Sequence, residues 1–95
     1  MNEFGLKKDV IDFIVNTADK MDISRVVLFG SRAKNTYSLK SDIDLAVLGC
    51  DYHMYVEALE ERCPTLLSFD CIDLRDEISD SLRRNIEREG VILYG

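Results

Sequence analysis

Two β-branched apolar runs, RVVLFG over residues 25–30 and DIDLAVLG over residues 42–49, are joined only by residues 31–41. Parallel neighbours in a sheet need a crossover of a dozen or more residues, usually with a full helix in it. The link here is polar, with small and basic groups, and reads as a short helical turn followed by a loop. Parallel pairing of the two runs is therefore disfavoured, and a mixed sheet is expected.

The rest of the chain supplies further strands and the helices to cover them. Residues 3–21 read as a first helix, with Leu6, Val10, Phe13, Ile14, Ala18 and Met21 on one stripe at helical spacing. Phe4, Ile11 and Val15 widen that stripe beyond what a surface helix needs. Such a helix is either well wrapped by its own domain or touches a second chain as well as the sheet. Strands are expected at residues 25–29 and 42–48. Asp51 stands where an N-cap would open a helix over residues 52–62. Tyr52, Tyr55, Val56 and Leu59 form the core stripe of that helix, and Pro64 ends the pattern. SFDCIDL, residues 68–74, reads as a third strand. Asp76 is positioned to cap a last helix running to Glu89, with Ile78, Leu82 and Ile86 on its narrow apolar face and Gly90 as its stop. VILY makes a short final strand. The fold class is α/β (α+β): a mixed sheet of three to four strands packed with helices, expected as two layers.

Composition narrows the functions. Ninety-five residues, 46% apolar and 32% charged, suit one small domain with one core. A formal charge of −6 leaves no net basic surface for non-specific nucleic-acid binding. No apolar stretch reaches the length of a membrane span. The N-terminal residues lack the pattern of a signal peptide, so a cytoplasmic location is expected. Cys50, Cys63 and Cys71 are odd in number and widely spaced, which reads as reduced thiols rather than a disulfide framework or zinc knuckle. His53, the single histidine, falls on an exposed helix face. Arg75, Arg83, Arg84 and Arg88 alternate with Glu77, Asp80, Glu87 and Glu89 as on a solvated mixed-charge helix.

The chemistry is carried by carboxylates placed where a strand should be apolar. Asp42 and Asp44 point to one face of their strand, with Cα atoms ~6.6 Å apart at the usual rise. Like charges this close repel, and such a pair tends to retain a proton. A divalent cation resolves the conflict, since oxygen ligands at about 2.0–2.1 Å from Mg²⁺ draw both groups into one shell. Two such ions ~3.5–4 Å apart are the geometry of phosphoryl and nucleotidyl transfer. A third carboxylate from a neighbouring strand would complete the set. Asp70 and Asp73 are three apart and point to opposite faces, so only one can join. Asp70 is the favoured one, while Asp73 sits near the strand exit in a solvated or capping position. Upstream, Gly30 permits a sharp bend and close backbone approach. Ser31 opens a one-turn helix whose free N–H groups and hydroxyl can hold a phosphate. Arg32 and Lys34 are placed to neutralise a polyphosphate.

The run GSRAKNTYSLKSDIDLAVL, with FDCIDL and IEREGVILYG after it, resembles the minimal nucleotidyltransferase (MNT) group of the DNA polymerase β-like superfamily, and in particular its MntA-like antitoxins. The glycine-serine pair, ten-residue spacer and Asp-x-Asp match without a gap, and the likeness covers essentially the whole chain, residues 1–95, as a single minimal domain. AKNTYSLK replaces the Arg-Gly pair and proline common in the family's spacer. The resemblance implies a polymerase β-like nucleotidyltransferase fold and an enzyme that moves AMP from ATP to a partner's hydroxyl. Asp42, Asp44 and Asp70 would hold two Mg²⁺ ions, and Asp70 would also help take the acceptor's proton. Gly30, Ser31 and Arg32 would seat the phosphates. The implied partner is a small helical HEPN-type toxin, neutralised by adenylylation of a tyrosine, or a substrate-binding protein, and the expected assembly is a homodimer or a hetero-oligomer. Two other readings stand beside it: a non-catalytic module that neutralises its partner by contact, and the catalytic half of a two-chain transferase for a small molecule or an RNA end.

Overall fold

The computed structural model describes residues 2–95. In chain order its elements are β1 (Asn2–Glu3), β2 (Leu6–Lys7), α1 (Lys8–Lys20), β3 (Ile23–Phe29), α2 (Gly30–Ala33), β4 (Ile43–Gly49), α3 (Tyr52–Arg62), β5 (Phe69–Asp73), α4 (Asp80–Glu89) and β6 (Val91–Tyr94). Four strands form one sheet in the order β5-β4-β3-β6. β3 pairs antiparallel with β4 and with β6, and β4 pairs parallel with β5. The short link after Gly30 thus yields the antiparallel pair, and α3 serves as the crossover that lets β5 run parallel to β4.

The alternation along the strands divides the sheet into two faces. Val26, Leu28, Ile43, Leu45 and Val47 pack with Val10, Ile14 and Ala18 of α1 and with Tyr55 and Leu59 of α3. The buried Tyr55 hydroxyl donates to the Ile14 carbonyl at 2.7 Å, which ties the two helices together at the one polar atom that this burial would otherwise orphan. The other face is smaller: Val27 and Ala46 meet Ile86 of α4, with Phe29, Leu74, Ile78 and Leu82 around them. Helices therefore cover both sides, and the expectation of two layers is corrected to three. The broad stripe of α1 is largely used within the chain, since Phe4, Ile11, Phe13 and Met21 pack against its own core.

Three local expectations are revised. The first helix starts at Lys8, because residues 2–7 form a two-residue hairpin whose turn, Phe4 and Gly5, has positive φ at both positions (58° and 69°). Such angles cannot continue a right-handed helix and mark the tight primed turns of hairpins. Asp51 precedes α3 but makes no capping bond. Its Oδ2 instead accepts the Asp22 N–H at 2.8 Å, pinning the entry of β3 to the end of β4. The last helix opens at Asp80, where the Ser79 Oγ accepts the Leu82 N–H at 3.1 Å. Asp76 is occupied earlier, its N–H donating to the Asp73 carbonyl in the turn that leaves β5.

Candidate active site

The parallel register of β4 and β5 sets Asp44 directly beside Asp70. Both lie on the α4 side of the sheet, in phase with Ala46. Asp44 is held up to about 6, first by burial, then by the charges of Asp70 and Asp42 and by hydrogen bonding with Asp70, with Arg32 opposing. Asp42 lies one residue before the strand and is exposed. None of the three forms an ion pair among the described residues. Nor do any three His, Cys, Asp or Glu side chains among the described residues already converge tightly enough to hold a metal ion. The donor chemistry nevertheless fits a hard divalent cation, because a half-buried carboxylate meets a second carboxylate with no lysine or arginine paired to either.

Gly30 follows β3, whose last residue Phe29 pairs with Asp44. Its φ is +73°, and a Cβ there would run into the Asp44 carboxylate. Glycine is thus required twice over, for the bend and for the space beside Asp44. Ser31 begins the turn of α2 half-exposed, and its carbonyl accepts the Thr36 N–H at 2.9 Å, closing the loop back on the helix.

Arg32, expected to assist at the phosphates, directs its donors to backbone carbonyls. The side chain is 1% exposed. Its Nε and Nη2 donate to the Ser41 carbonyl at 3.2 and 2.8 Å, Nη2 also reaches the Leu39 carbonyl at 3.5 Å, and Nη1 donates to the Phe4 carbonyl at 3.0 Å. The guanidinium lies 5.0 Å from the centre of the Tyr37 ring. Four of its contacts go to backbone oxygens, so it holds loops rather than facing a ligand. Nothing in the spacing of the sequence marks this arrangement, because the carbonyls come from segments far apart in the chain. Lys34 is at the surface, 3.7 Å from Glu89.

Asp73 is placed on the opposite face from Asp70, as the alternation requires. It is buried, and its Oδ1 accepts the Arg75 N–H at 3.0 Å, an aspartate turn that ends β5. Cys71 also faces the α1 and α3 core, and burial pushes its thiol up to about 12, which keeps it protonated and unreactive. All three cysteines are free. No helix among the described residues is long and apolar enough to cross a membrane.

A glycine bend against one carboxylate, with a second carboxylate in register beside it on a mixed sheet, is matched by the comparisons with known proteins. Residues 9–95 match the family described as Polymerase beta, Nucleotidyltransferase, and the chain belongs to that family of enzymes. Its four-stranded mixed sheet and helices are that family's fold. The "Putative protein adenylyltransferase MJ1547" of Methanocaldococcus jannaschii is 47% identical over 34 residues, which are 36% of this chain but only 28% of that relative's length. A chain of a toxin-antitoxin crystallised with AMP-PNP superposes with a TM-score of 0.71 at 26% identity, covering 90% of this chain and 73% of that one. The toxin-antitoxin MntA-HpeT, with two Asp-to-Glu substitutions, gives a TM-score of 0.69 at 24% identity with 90% and 73% coverage. At that identity the likeness is one of fold.

Proposed function

We propose that this chain is a metal-dependent adenylyltransferase that moves AMP from ATP to a hydroxyl of a partner protein, and that it acts as the antitoxin of a HEPN/MNT pair. The observation that carries the reading is Asp44 set in register with Asp70 beside the Gly30 bend. Support for the nucleotide comes from the relative crystallised with AMP-PNP, and support for a toxin partner from the same assembly. Support for a protein acceptor comes from the archaeal relative's name.

Asp42, Asp44 and Asp70 would hold Mg²⁺, in two ions. Bound there, the ions would neutralise charge on the phosphates in the transition state. The chain's own residues do the rest. Gly30 keeps a side chain out of the space beside the Asp44 carboxylate. Ser31 offers its hydroxyl and the amide N–H groups of the first turn to the β- and γ-phosphates. Asp70, the more exposed of the pair, accepts the proton of the incoming hydroxyl as its oxygen attacks the α-phosphorus and pyrophosphate leaves.

The test is incubation with ATP labelled at the α-phosphate, Mg²⁺ and the product of the open reading frame next to this chain's own. Label on the partner, lost when Asp42 and Asp44 are both changed to Ala, is the expected result. A bound partner that stays unlabelled, and is still neutralised by the double variant, would put contact in place of chemistry.

A further inference from the structure

Resting on the reading of Asp42, Asp44 and Asp70 as the cation-holding set, we propose that Arg32 is a positioning residue: a buried clasp by which the N-terminal hairpin fixes the loop that delivers Asp42. Three observations converge on it. Arg32 gives the Ser41 carbonyl two donors, at 2.8 and 3.2 Å, and Ser41 is the residue before Asp42. The same guanidinium donates to the Phe4 carbonyl at the tip of the β1–β2 hairpin. That tip is strained and fitted to it. Phe4 adopts a φ of 58°, a region that a bulky residue rarely enters unless its surroundings demand it. At Gly5 a Cβ would collide with the Tyr37 ring and with Arg32 Nη1.

The clasp answers a specific need. Asp44 and Asp70 are placed by the register of two paired strands. Asp42 lies outside any strand, and residues 37–42 have no sheet bonds of their own to hold them. The Ser38 N–H and hydroxyl bond the Ser41 Oγ, which shapes the loop but does not anchor it. Arg32 is the anchor, because it starts from α2, next to Gly30 and Ser31, and so ties the phosphate-side bend and the Asp42 loop to one rigid point. A lysine keeps the charge but cannot reach three carbonyls with a planar fork.

The experiment compares wild type, Arg32→Lys, Gly5→Ala and Tyr37→Leu by backbone amide exchange and by Mn²⁺ titration, read by electron paramagnetic resonance first without nucleotide and then with ATP. The expected result is faster exchange across residues 36–42 in all three variants, with the centres of β3 and β4 still protected. Mn²⁺ affinity should fall about 10-fold in Arg32→Lys, as for residues that orient ligands without touching the metal. Unchanged loop exchange in Gly5→Ala and Tyr37→Leu would overturn the hairpin's role. If Arg32→Lys weakened Mn²⁺-ATP alone, with free Mn²⁺ affinity and loop exchange unchanged, Arg32 would be a phosphate ligand instead. Lower thermal stability with neither change would make it an ordinary buried residue. Should Arg32→Lys not fold, Gly5→Ala and Tyr37→Leu decide. Wild type that transferred no AMP would sink the proposed function while leaving the exchange comparison decisive for the clasp.

Discussion

β4 shows its two natures on alternate residues. Ile43, Leu45 and Val47 are 0% exposed against α1 and α3. Asp42 and Asp44, from the same run of chain, are exposed and half-exposed on the other side, where α4 packs over Val27 and Ala46. The first face is apolar, and its one buried hydroxyl, that of Tyr55, is bonded. The second keeps two carboxylates side by side with no ion pair to either among the described residues. The contrast teaches that stability and chemistry are separated here by the pleat of one strand, a distance of one residue.

Breaking the packed face should have the largest effect. Leu45→Ala leaves a cavity beneath α1 and α3 and should cost about 2–5 kcal/mol in chemical denaturation. The folded fraction should still bind Mn²⁺. Asp44→Asn should do the reverse. It removes a carboxylate from the transfer site, so transfer falls by about 100-fold or more, while stability holds or rises as the repulsion with Asp70 disappears. A loss of stability in Asp44→Asn as large as in Leu45→Ala would erase the distinction between the faces.

The same residue sharpens the comparison through pH. Asp44 titrates at about 6, above its ordinary value of 3.8. Between those values the folded state keeps a proton that the unfolded chain has released, so its stability falls as pH rises through that window. Without divalent cations, melting temperature should decline from pH 4 to 6, and the Asp44 contribution should be absent in Asp44→Asn. Mg²⁺ at pH 7 should raise the melting temperature of wild type and not of that variant.

Gly30→Ala comes next. The positive φ alone costs about 1–2 kcal/mol, and the added methyl must displace the Asp44 carboxylate, so denaturation and Mn²⁺ affinity should both worsen. Lys34→Ala should do least. Its contact with Glu89 is long and exposed, worth at most about 0.5 kcal/mol.

Much of this contrast is legible from residue order. The short link after Gly30 disfavours a parallel pair, and alternation lets only one of Asp70 and Asp73 face Asp44, but it takes the parallel register of β4 and β5 to make it Asp70. The bounds of α3, Tyr52–Arg62, agree with the pattern because Pro64 and the stripe of Tyr55 and Leu59 leave few alternatives. The N-terminal hairpin is not legible. Phe4 and Leu6 fall in phase with the stripe of α1, and a Phe-Gly turn lacks the asparagine or aspartate that signals a primed turn. The start of α4 is displaced from Asp76 to Ser79 because both can cap, and the turn after Asp73 takes the first of them. The surroundings of Arg32 are not legible for a different reason. A basic residue beside a phosphate-type bend suggests an anion, and only tertiary structure brings the carbonyls of Phe4, Leu39 and Ser41 around it.

The central claim is that Asp70, in register with Asp44, completes a cation site that Asp73 does not share. Mn²⁺ titration of wild type, Asp70→Asn and Asp73→Asn tests it most directly. The account predicts saturable binding in wild type, loss of at least about 10-fold in affinity for Asp70→Asn, and wild-type affinity with reduced thermal stability for Asp73→Asn. Wild-type Mn²⁺ affinity in Asp70→Asn, or its loss in Asp73→Asn at full stability, would contradict it.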